Sequence, residues 1–506
     1  MKPSSSTSNV SRPLRAIVGA LLLGPAAGAA VAAAPADRPP NIVLILADDL
    51  GWNGLHVTGN TRVDTPNLDR LATQGMRFTQ AYAEAQCSPT RGCLFSGQWP
   101  ARTHMFAVTH EPDPLRAPLT PPPHAMVMPP ETASLFVTLR AAGYATGLSG
   151  KWHIGDNYNA APLRQRNDGK YFEAYGLDFV GDARNGSPEK DKSTDGITDD
   201  LLGFIAQNRA RPFIAYFAHH TPHAPMEAQK TLVEKYVARG FPRSSSALCI
   251  TAERPTANYC AMLEHLDTTV GRVLAKLEEL GLAENTVVIF ASDNGGLGRM
   301  ADMAPLRESK GAPYEGGIRV PVIVRWPGHV APGSTCAVPI HAVDYYPTFV
   351  ELAHAAVPAR HRLDGESMVP LLTGAGGLKR DTLYWHMPTY TPMYGRTPCA
   401  VVRRGDWKLV RYFGDFLDTT GQLPVHEGLY GKLLLGPRTE LFNLAVDPSE
   451  TKDLAAAQPA RVQELSAALD RFLVETKARL PQPNPAFSPD DPNWWAWPKR
   501  AGGGEN

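Results

Sequence analysis

Apolar, β-branched runs alternate with segments of helical spacing along most of this chain. Asn41–Ala47, Pro212–Ala218, Thr286–Phe290 and Val322–Trp326 are almost wholly apolar, as strands buried on both faces of a parallel sheet should be. A shorter strand is predicted from Tyr144. Between them, Thr65–Ala72 combines a capping residue, an early proline and apolar spacing, and Gly75 closes it. Leu135–Ala142, Met262–Gly281 and Asp344–Ala353 read as further helices. This alternation predicts an α/β fold: a large mixed, mainly parallel sheet sandwiched between helices.

The pattern changes from about residue 380, where the strands shorten. Ala400–Arg403 and Lys408–Phe413 flank the turn Gly405-Asp406, which predicts an antiparallel hairpin. Val462, Leu465, Leu469, Phe472 and Leu473 mark one face of an amphipathic helix able to cover it. The expected organisation is a large domain at 35–375, a smaller C-terminal α+β subdomain with an antiparallel sheet at 376–485, and an irregular tail at 486–506. Residues 111–130 are dense in proline and are expected to form an extended surface loop that could rim a pocket.

Composition adds three constraints. With 506 residues, 43% of them hydrophobic, the chain can bury a sizeable core. Its 50 basic residues balance 50 acidic ones, which argues against a nucleic-acid partner or an anionic membrane surface; any recognition of anions must be local. Arg12 and Arg15, the apolar run Ala16–Leu23 and the small residues Ala32–Ala34 have the order of a secretory signal, so residues 1–34 are expected to be a signal peptide and the protein exported, periplasmic or secreted. Gly24 and Pro25 argue against stable insertion in a membrane. Export permits disulfides among the six cysteines, Cys87, Cys93, Cys249, Cys260, Cys336 and Cys399. Cys249 with Cys260 closes a short local loop and is the first pair to test, and the spacings do not resemble a zinc site.

Candidate chemistry gathers where the predicted strands end, which is where open α/β sheets place their ligands. The first strand runs into Asp48-Asp49, another into His219, His220 and His223, and a third into Asp293-Asn294. Lys151 and His153 lie two apart on an expected strand, whose alternation would point both the same way. In Cys87-Ser88-Pro89-Thr90-Arg91-Gly92, Ser88 suits a helix cap and Pro89 a first turn. Cys87 would then sit at a helix N-terminus, which attracts anions, with Arg91 one turn along. Asp48, Asp49, Asp293 and Asn294 offer only oxygen ligands, the set preferred by calcium or magnesium over zinc or copper. Three carboxylates against one divalent cation leave roughly one excess negative charge, so Arg91, Lys151 and Lys310 are candidates for binding an anionic substrate.

The segments NIVLILADDLG, CSPTRG, GKWHIG, HHTPHAP, SDNGG, KGAPYEGGIRVP and ELFNLAVDPSETKDLA, from Asn41 to about Leu454, resemble the formylglycine-dependent sulfatases of the alkaline phosphatase superfamily. The resemblance implies the alkaline-phosphatase-like sandwich, with 35–375 as its catalytic domain. It implies sulfate-ester hydrolysis by a formylglycine (3-oxoalanine) made from Cys87 by a formylglycine-generating enzyme. Asp48, Asp49, Asp293 and Asn294, with the modified Cys87, would hold calcium in preference to magnesium. Arg91 would hold the formylglycine, His153 assist it, Lys151 and Lys310 grip the sulfate oxygens, and His223 protonate the leaving alcohol; His223 is chosen over His219 and His220 on its local PHxP match.

Two other readings compete. One is a phosphonate monoester or phosphodiester hydrolase of the same superfamily. The other is a non-catalytic binding protein with unmodified Cys87, although a degenerate binder should lack some site position and none is missing. Leu383–Tyr390 and Val402–Leu409 resemble the C-terminal part of bacterial sulfatases acting on carbohydrates, which implies a sulfated saccharide substrate in preference to a steroid or simple aryl sulfate. His104, His124 and His386 are candidates for the rim.

Overall fold

The Asn41–Asp48 strand is buried along its whole length, and its alternate residues feed two separate cores. Ile42, Leu44 and Leu46 join one apolar cluster while Val43, Ile45 and Ala47 join another, as the two-residue period of a strand requires. The computed structural model describes residues 38–108, 116–155, 170–181, 191–245, 255–301, 303–391, 396–418 and 432–491. The expected signal peptide at 1–34 lies outside the described residues, as does the tail beyond 491.

Nine strands form the large sheet. Its order runs Ile340–His341, Met76–Tyr82, Arg319–Arg325, Thr286–Ser292, Asn41–Asp48, Phe213–Pro222, Ala145–Gly150 and Phe179–Val180, with Ser334–Cys336 also paired to Met76–Tyr82. All pairings are parallel except those of Arg319–Arg325, which runs antiparallel to both its neighbours. Pro66–Gln74, Thr194–Gln207 and Ala257–Glu279 contribute to the core on one face. Cys87–Ser96, Leu135–Ala141 and Tyr345–Leu352 contribute to the other.

A four-stranded antiparallel sheet follows, ordered Thr382–Met387, Cys399–Arg404, Trp407–Tyr412 and Arg438–Asn443. Its central hairpin turns at Gly405, whose φ of 55° is left-handed, and at Asp406. The Pro459–Glu475 helix lays Leu465, Ala468, Leu469, Phe472 and Leu473 inward, and Phe472 stacks on Tyr384 at 4.1 Å. Trp385, Val401 and Leu469 belong to the same apolar cluster as Phe78 and Phe95 of the large unit. Two polar anchors reinforce this packing: Trp385 Nε1 donates to the Ala83 carbonyl at 2.8 Å, and the buried Lys408 ammonium lies 3.1 Å from Glu315 and 2.7 Å from Glu450.

Several local expectations are corrected. Thr65 makes no side-chain cap; its hydroxyl accepts from the His56 amide at 2.9 Å instead. Leu119–Thr120, within the proline-dense stretch, pairs with Gln482–Pro483 rather than running free over the surface. Cys260 is a free, buried thiol, and Cys249, its expected partner, lies outside the described residues. No helix among the described residues is long and apolar enough to cross a membrane.

Candidate active site

Parallel register brings the polar strand ends to one edge of the sheet. Ala47 pairs with Ser292, Asp48 with Pro222, and Ala218 with Gly150. The residues that follow therefore converge: Asp48 and Asp49, Asp293 and Asn294, Lys151, and the histidine segment. Because Arg319–Arg325 is reversed, it begins at this same edge, and the segment before it crosses the site. Lys310 N donates to the Gly296 carbonyl at 2.9 Å and Gly311 N to that of Ala85 at 2.8 Å, which fixes the Lys310 side chain over the acidic cluster.

Cys87 is the first residue of its helix, but the cap is extended Gln86, without a side-chain bond, and not Ser88. Every residue of Cys87–Ser96 is buried. Cys87 Sγ lies 3.2 Å from Asp48 Oδ1, 3.8 Å from Asp49 Oδ1 and 3.5 Å from Lys310 Nζ. One turn along, Arg91 donates through Nε and Nη2 to Asp293 Oδ2, and through Nη1 to the Lys151 carbonyl at 2.7 Å and the Tyr216 hydroxyl at 3.0 Å. Lys151 Nζ reaches both Asp48 oxygens, at 2.7 and 2.6 Å, and Lys310 Nζ lies 2.7 Å from Asp49 Oδ1.

Strand alternation does not explain the pairing of Lys151 and His153. The strand stops at Gly150, whose φ is 97° and where a Cβ would lie 2.0 Å from the Ala218 carbonyl oxygen. His153 is itself left-handed, with φ 61°. A turn, and not a shared strand face, carries both residues to the site. Burial, then the charges of Lys151 and Arg91, push the His153 pKa well below its usual value, so the ring is neutral.

The three histidines separate by face. His219 is buried towards His265 and Asp195 on the far side of the sheet, and burial lowers its pKa to about 3. His220 faces the site and is 8% exposed. His223 has its Nε2 at 3.6 Å from Asp49 Oδ2, its Nδ1 at 2.5 Å from the Ala224 carbonyl, and a side chain 27% exposed, so it is the one a substrate can reach.

Opposed effects set the charges here. Burial would raise Asp48, but Lys151, His223, Arg91 and Lys310 outweigh it and hold the carboxyl well below the usual range. Burial and neighbouring Asp48 push Asp293 up to about 6. Burial, Asp293 and Asp48 keep the Cys87 thiol protonated. Asp48, Asp49, Cys87 and Asp293 each offer a ligand atom within 4.8 Å of the others. Asn294 donates to Asp49 Oδ1 at 2.7 Å, while its own Oδ1 is buried without a hydrogen bond. An orphaned carbonyl oxygen beside three carboxylates fits a hard, oxygen-seeking divalent cation.

Two residues here were not singled out in the sequence. Tyr216 sits inside an apolar strand and reads as core. Lys192, 1% exposed, donates to the Ala224 carbonyl at 3.1 Å, and no periodic pattern flags it. Of the expected rim histidines, His386 is buried, with Nε2 at 2.8 Å from the Arg479 carbonyl and an edge contact to Phe106, and His104 also lies against that ring. His124 is half-buried.

A mixed, mainly parallel sheet between helices, a separate small antiparallel sheet and an acidic site at the carboxyl edge define the alkaline-phosphatase-like class of hydrolase folds. The chain belongs to the sulfatase family: the model described as Sulfatase matches residues 40–355, and that described as N-sulphoglucosamine sulphohydrolase, C-terminal, matches 309–420. It is 32% identical to human arylsulfatase A, over 91% of each chain. It is 30% identical to a sulfatase of Formosa agariphila, over 92% of this chain and 93% of that one. Among solved structures, Ps i-CgsB in complex with k-i-k-neocarrahexaose superposes with a TM-score of 0.68 at 24% identity, covering 89% of this chain and 95% of that one. The protein is thus an enzyme that hydrolyses sulfate esters.

Proposed function

We propose that this enzyme removes sulfate from a carbohydrate, using a formylglycine made from Cys87 and a calcium ion held by Asp48, Asp49, Asp293 and Asn294. The observation that carries the reading is the position of Cys87, with a carboxylate 3.2 Å and an ammonium 3.5 Å from its sulfur. A thiol buried among acids is a poor nucleophile, because its charged form is disfavoured. A hydrated aldehyde at the same place supplies a hydroxyl to attack sulfur and a second one whose deprotonation expels the sulfate. Calcium, when bound, supplies positive charge that favours the deprotonated nucleophile and neutralises sulfate oxygens.

This chain's side chains then divide the remaining work. Arg91 braces the metal-side carboxylate Asp293 and the Lys151 backbone. Lys151 and Lys310 contact Asp48 and Asp49, which would hold the cation, and their ammonium groups would meet the sulfuryl oxygens, where charge grows in the transition state. His153, buried and with its pKa lowered, would accept or return a proton at the nucleophile. His223 donates a proton to the departing alcohol oxygen from the open side. Residues 35–375 carry the chemistry, and the 376–485 subdomain buttresses them through Trp385 and Lys408. Residues 1–34 direct export, and a formylglycine-generating enzyme acts on the chain during maturation.

The carbohydrate preference is supported by the likeness to a structure solved with a neocarrahexaose and by the match to a sulphohydrolase C-terminal model. The test is a panel of defined sulfated saccharides run beside aryl sulfates and a matched phosphate diester. Fastest turnover is expected on a sulfated saccharide. Exclusive action on aryl or steroid sulfates overturns the substrate class, and a large preference for the diester overturns sulfate as the group transferred.

A further inference from the structure

On the far side of the Cys87 helix lies a second cluster that the sulfatase chemistry does not use. Glu84 follows the Met76–Tyr82 strand, and His341 ends the short strand paired to it, with His341 opposite Tyr82. The helix then brings Cys93 back over both. All three are buried: Glu84 is 2% exposed, Cys93 1% and His341 0%. Cys93 Sγ lies 3.8 Å and His341 Nε2 3.7 Å from Glu84 Oε1, and the three ligand atoms lie within 4.8 Å of one another.

We propose that Glu84, Cys93 and His341 form a buried structural site for a divalent cation of the zinc class. In a tetrahedral site with metal–sulfur bonds near 2.3 Å and metal–nitrogen or metal–oxygen bonds near 2.0–2.1 Å, ligand atoms sit about 3.3–3.6 Å apart. The Cys93–Glu84 and His341–Glu84 separations exceed that spacing by a few tenths of an ångström, and binding would draw the three atoms together. The donor set is thiolate, imidazole and carboxylate, the set zinc prefers, in contrast to the all-oxygen site beside Cys87.

Two groups of the cluster are under-partnered. Several buried carboxylates meet a cation directly: Asp48 meets Lys151, Asp293 meets Arg91, Asp344 meets Arg380, and Glu315 and Glu450 share Lys408. The only ion-pair contact of Glu84 within 4 Å among the described residues is the His341 ring, with the buried Arg396 guanidinium acting on it from further off. His341 Nε2 is buried with no hydrogen bond. A divalent cation with one thiolate, one carboxylate and a neutral imidazole is electrically neutral, which suits an apolar core. Burial agrees with this, raising the Glu84 carboxyl to about 8 and the Cys93 thiol further while lowering His341, so that all three are uncharged until a metal takes the protons' place.

Coordination through Nε2 puts the ring proton on Nδ1. That nitrogen now accepts a long 3.4 Å contact from the Val343 amide, which must give way, and the nearby Ala83 carbonyl favours a protonated ring. Glu84 binding through both oxygens completes four ligands from the protein alone. The metal would then tie the strand edge to the helix that carries Cys87.

The experiment uses the full-length protein, grown with zinc and dialysed against calcium buffer, and measures metals by mass spectrometry. About one zinc per chain is expected in wild type, with Cys93→Ser and His341→Asn losing the zinc but keeping calcium. Reconstitution with cobalt alone supplies an independent readout, a thiolate-to-cobalt charge-transfer band in the near ultraviolet. That band should persist in Cys87→Ser and vanish in Cys93→Ser. Folded wild type without zinc and without the band overturns the proposal. So does a band that follows Cys87 instead of Cys93. The wild-type and Cys87→Ser measurements decide the matter even where the Cys93 variant fails to fold.

Discussion

Arg91 grips Asp293 side-on, with Nη2 at 2.8 Å and Nε at 3.1 Å from the same oxygen, and neither side chain has any exposed surface. The other oxygen of Asp293 accepts from the Asp49 amide at 3.2 Å, so the arginine and that amide together fix the orientation of the carboxylate within the acidic cluster.

Removing one member of such a pair strands a buried charge. Arg91→Met should destabilise the calcium-free protein by about 3–5 kcal/mol in denaturant unfolding. Calcium should recover part of that loss, because it takes over the charge of Asp293. An equal loss with and without calcium would remove Asp293 from the metal site.

Position 87 can be read directly. Mass spectrometry of the tryptic peptide Phe78–Arg91 from protein matured with a formylglycine-generating enzyme should show an aldehyde in place of the thiol. Cys87→Ala should be inactive. A fully active preparation with an intact thiol would refute the proposed nucleophile.

His220 and His223 differ in reach, and leaving-group dependence separates them. His223→Ala should lose on the order of a hundred- to ten-thousand-fold on alkyl sulfates and little on activated aryl sulfates, as expected of a lost general acid. Should His220→Ala show that signature and His223→Ala none, the proton donor has been assigned to the wrong ring.

Gly150 is predicted to be intolerant beyond its size. A left-handed backbone costs about 1–2 kcal/mol for most residues, and a Cβ at 2.0 Å from the Ala218 oxygen adds a clash with backbone. Since the next residue gives Arg91 its carbonyl and Asp48 its ammonium, Gly150→Ala should lower kcat along with stability. Normal turnover in this variant would show that the Lys151 backbone is not a fixed part of the site.

Away from the site, Asp415 offers a pH test. It is buried, accepts from Tyr390 at 2.7 Å and has its other oxygen unpaired; burial raises its pKa from 3.8 to about 7, against that hydrogen bond. A raised carboxyl binds its proton more tightly in the folded state. Its stabilising contribution is therefore complete below about pH 3.8 and is lost as pH rises through about 7. Asp415→Asn should remove that slope, worth on the order of 2–4 kcal/mol, and should be the more stable protein at pH 8. Parallel stability curves for the two proteins would contradict the burial argument.

Much of this was legible in the sequence. Asn41–Asp48 and Thr286–Ser292 announce themselves because a strand covered on both faces has no polar period, and their acidic ends then stand out. Lys310 is a candidate from the charge balance and from family resemblance, but its place depends on one reversed strand that no local pattern encodes. Lys151 and His153 were brought together for a wrong reason: Gly150 ends the strand before alternation can act. The edge strands Phe179–Val180 and Ile340–His341 have two residues each, too few to show any period; they form because a neighbouring strand offers them its edge. Lys192 and the Glu84, Cys93 and His341 cluster were invisible because proximity across a sheet leaves no trace in local spacing.

The complete burial of Cys87–Ser96 also has a consequence for timing. A modifying enzyme needs this stretch unpacked from the sheet, yet the sheet closes only when strands as distant as Asn41–Asp48 and Arg319–Arg325 have met. On the proposed chemistry, oxidation of Cys87 thus races against folding. A molecule that folds first shuts away an unmodified thiol, and the share of active enzyme in any preparation becomes a record of which process won.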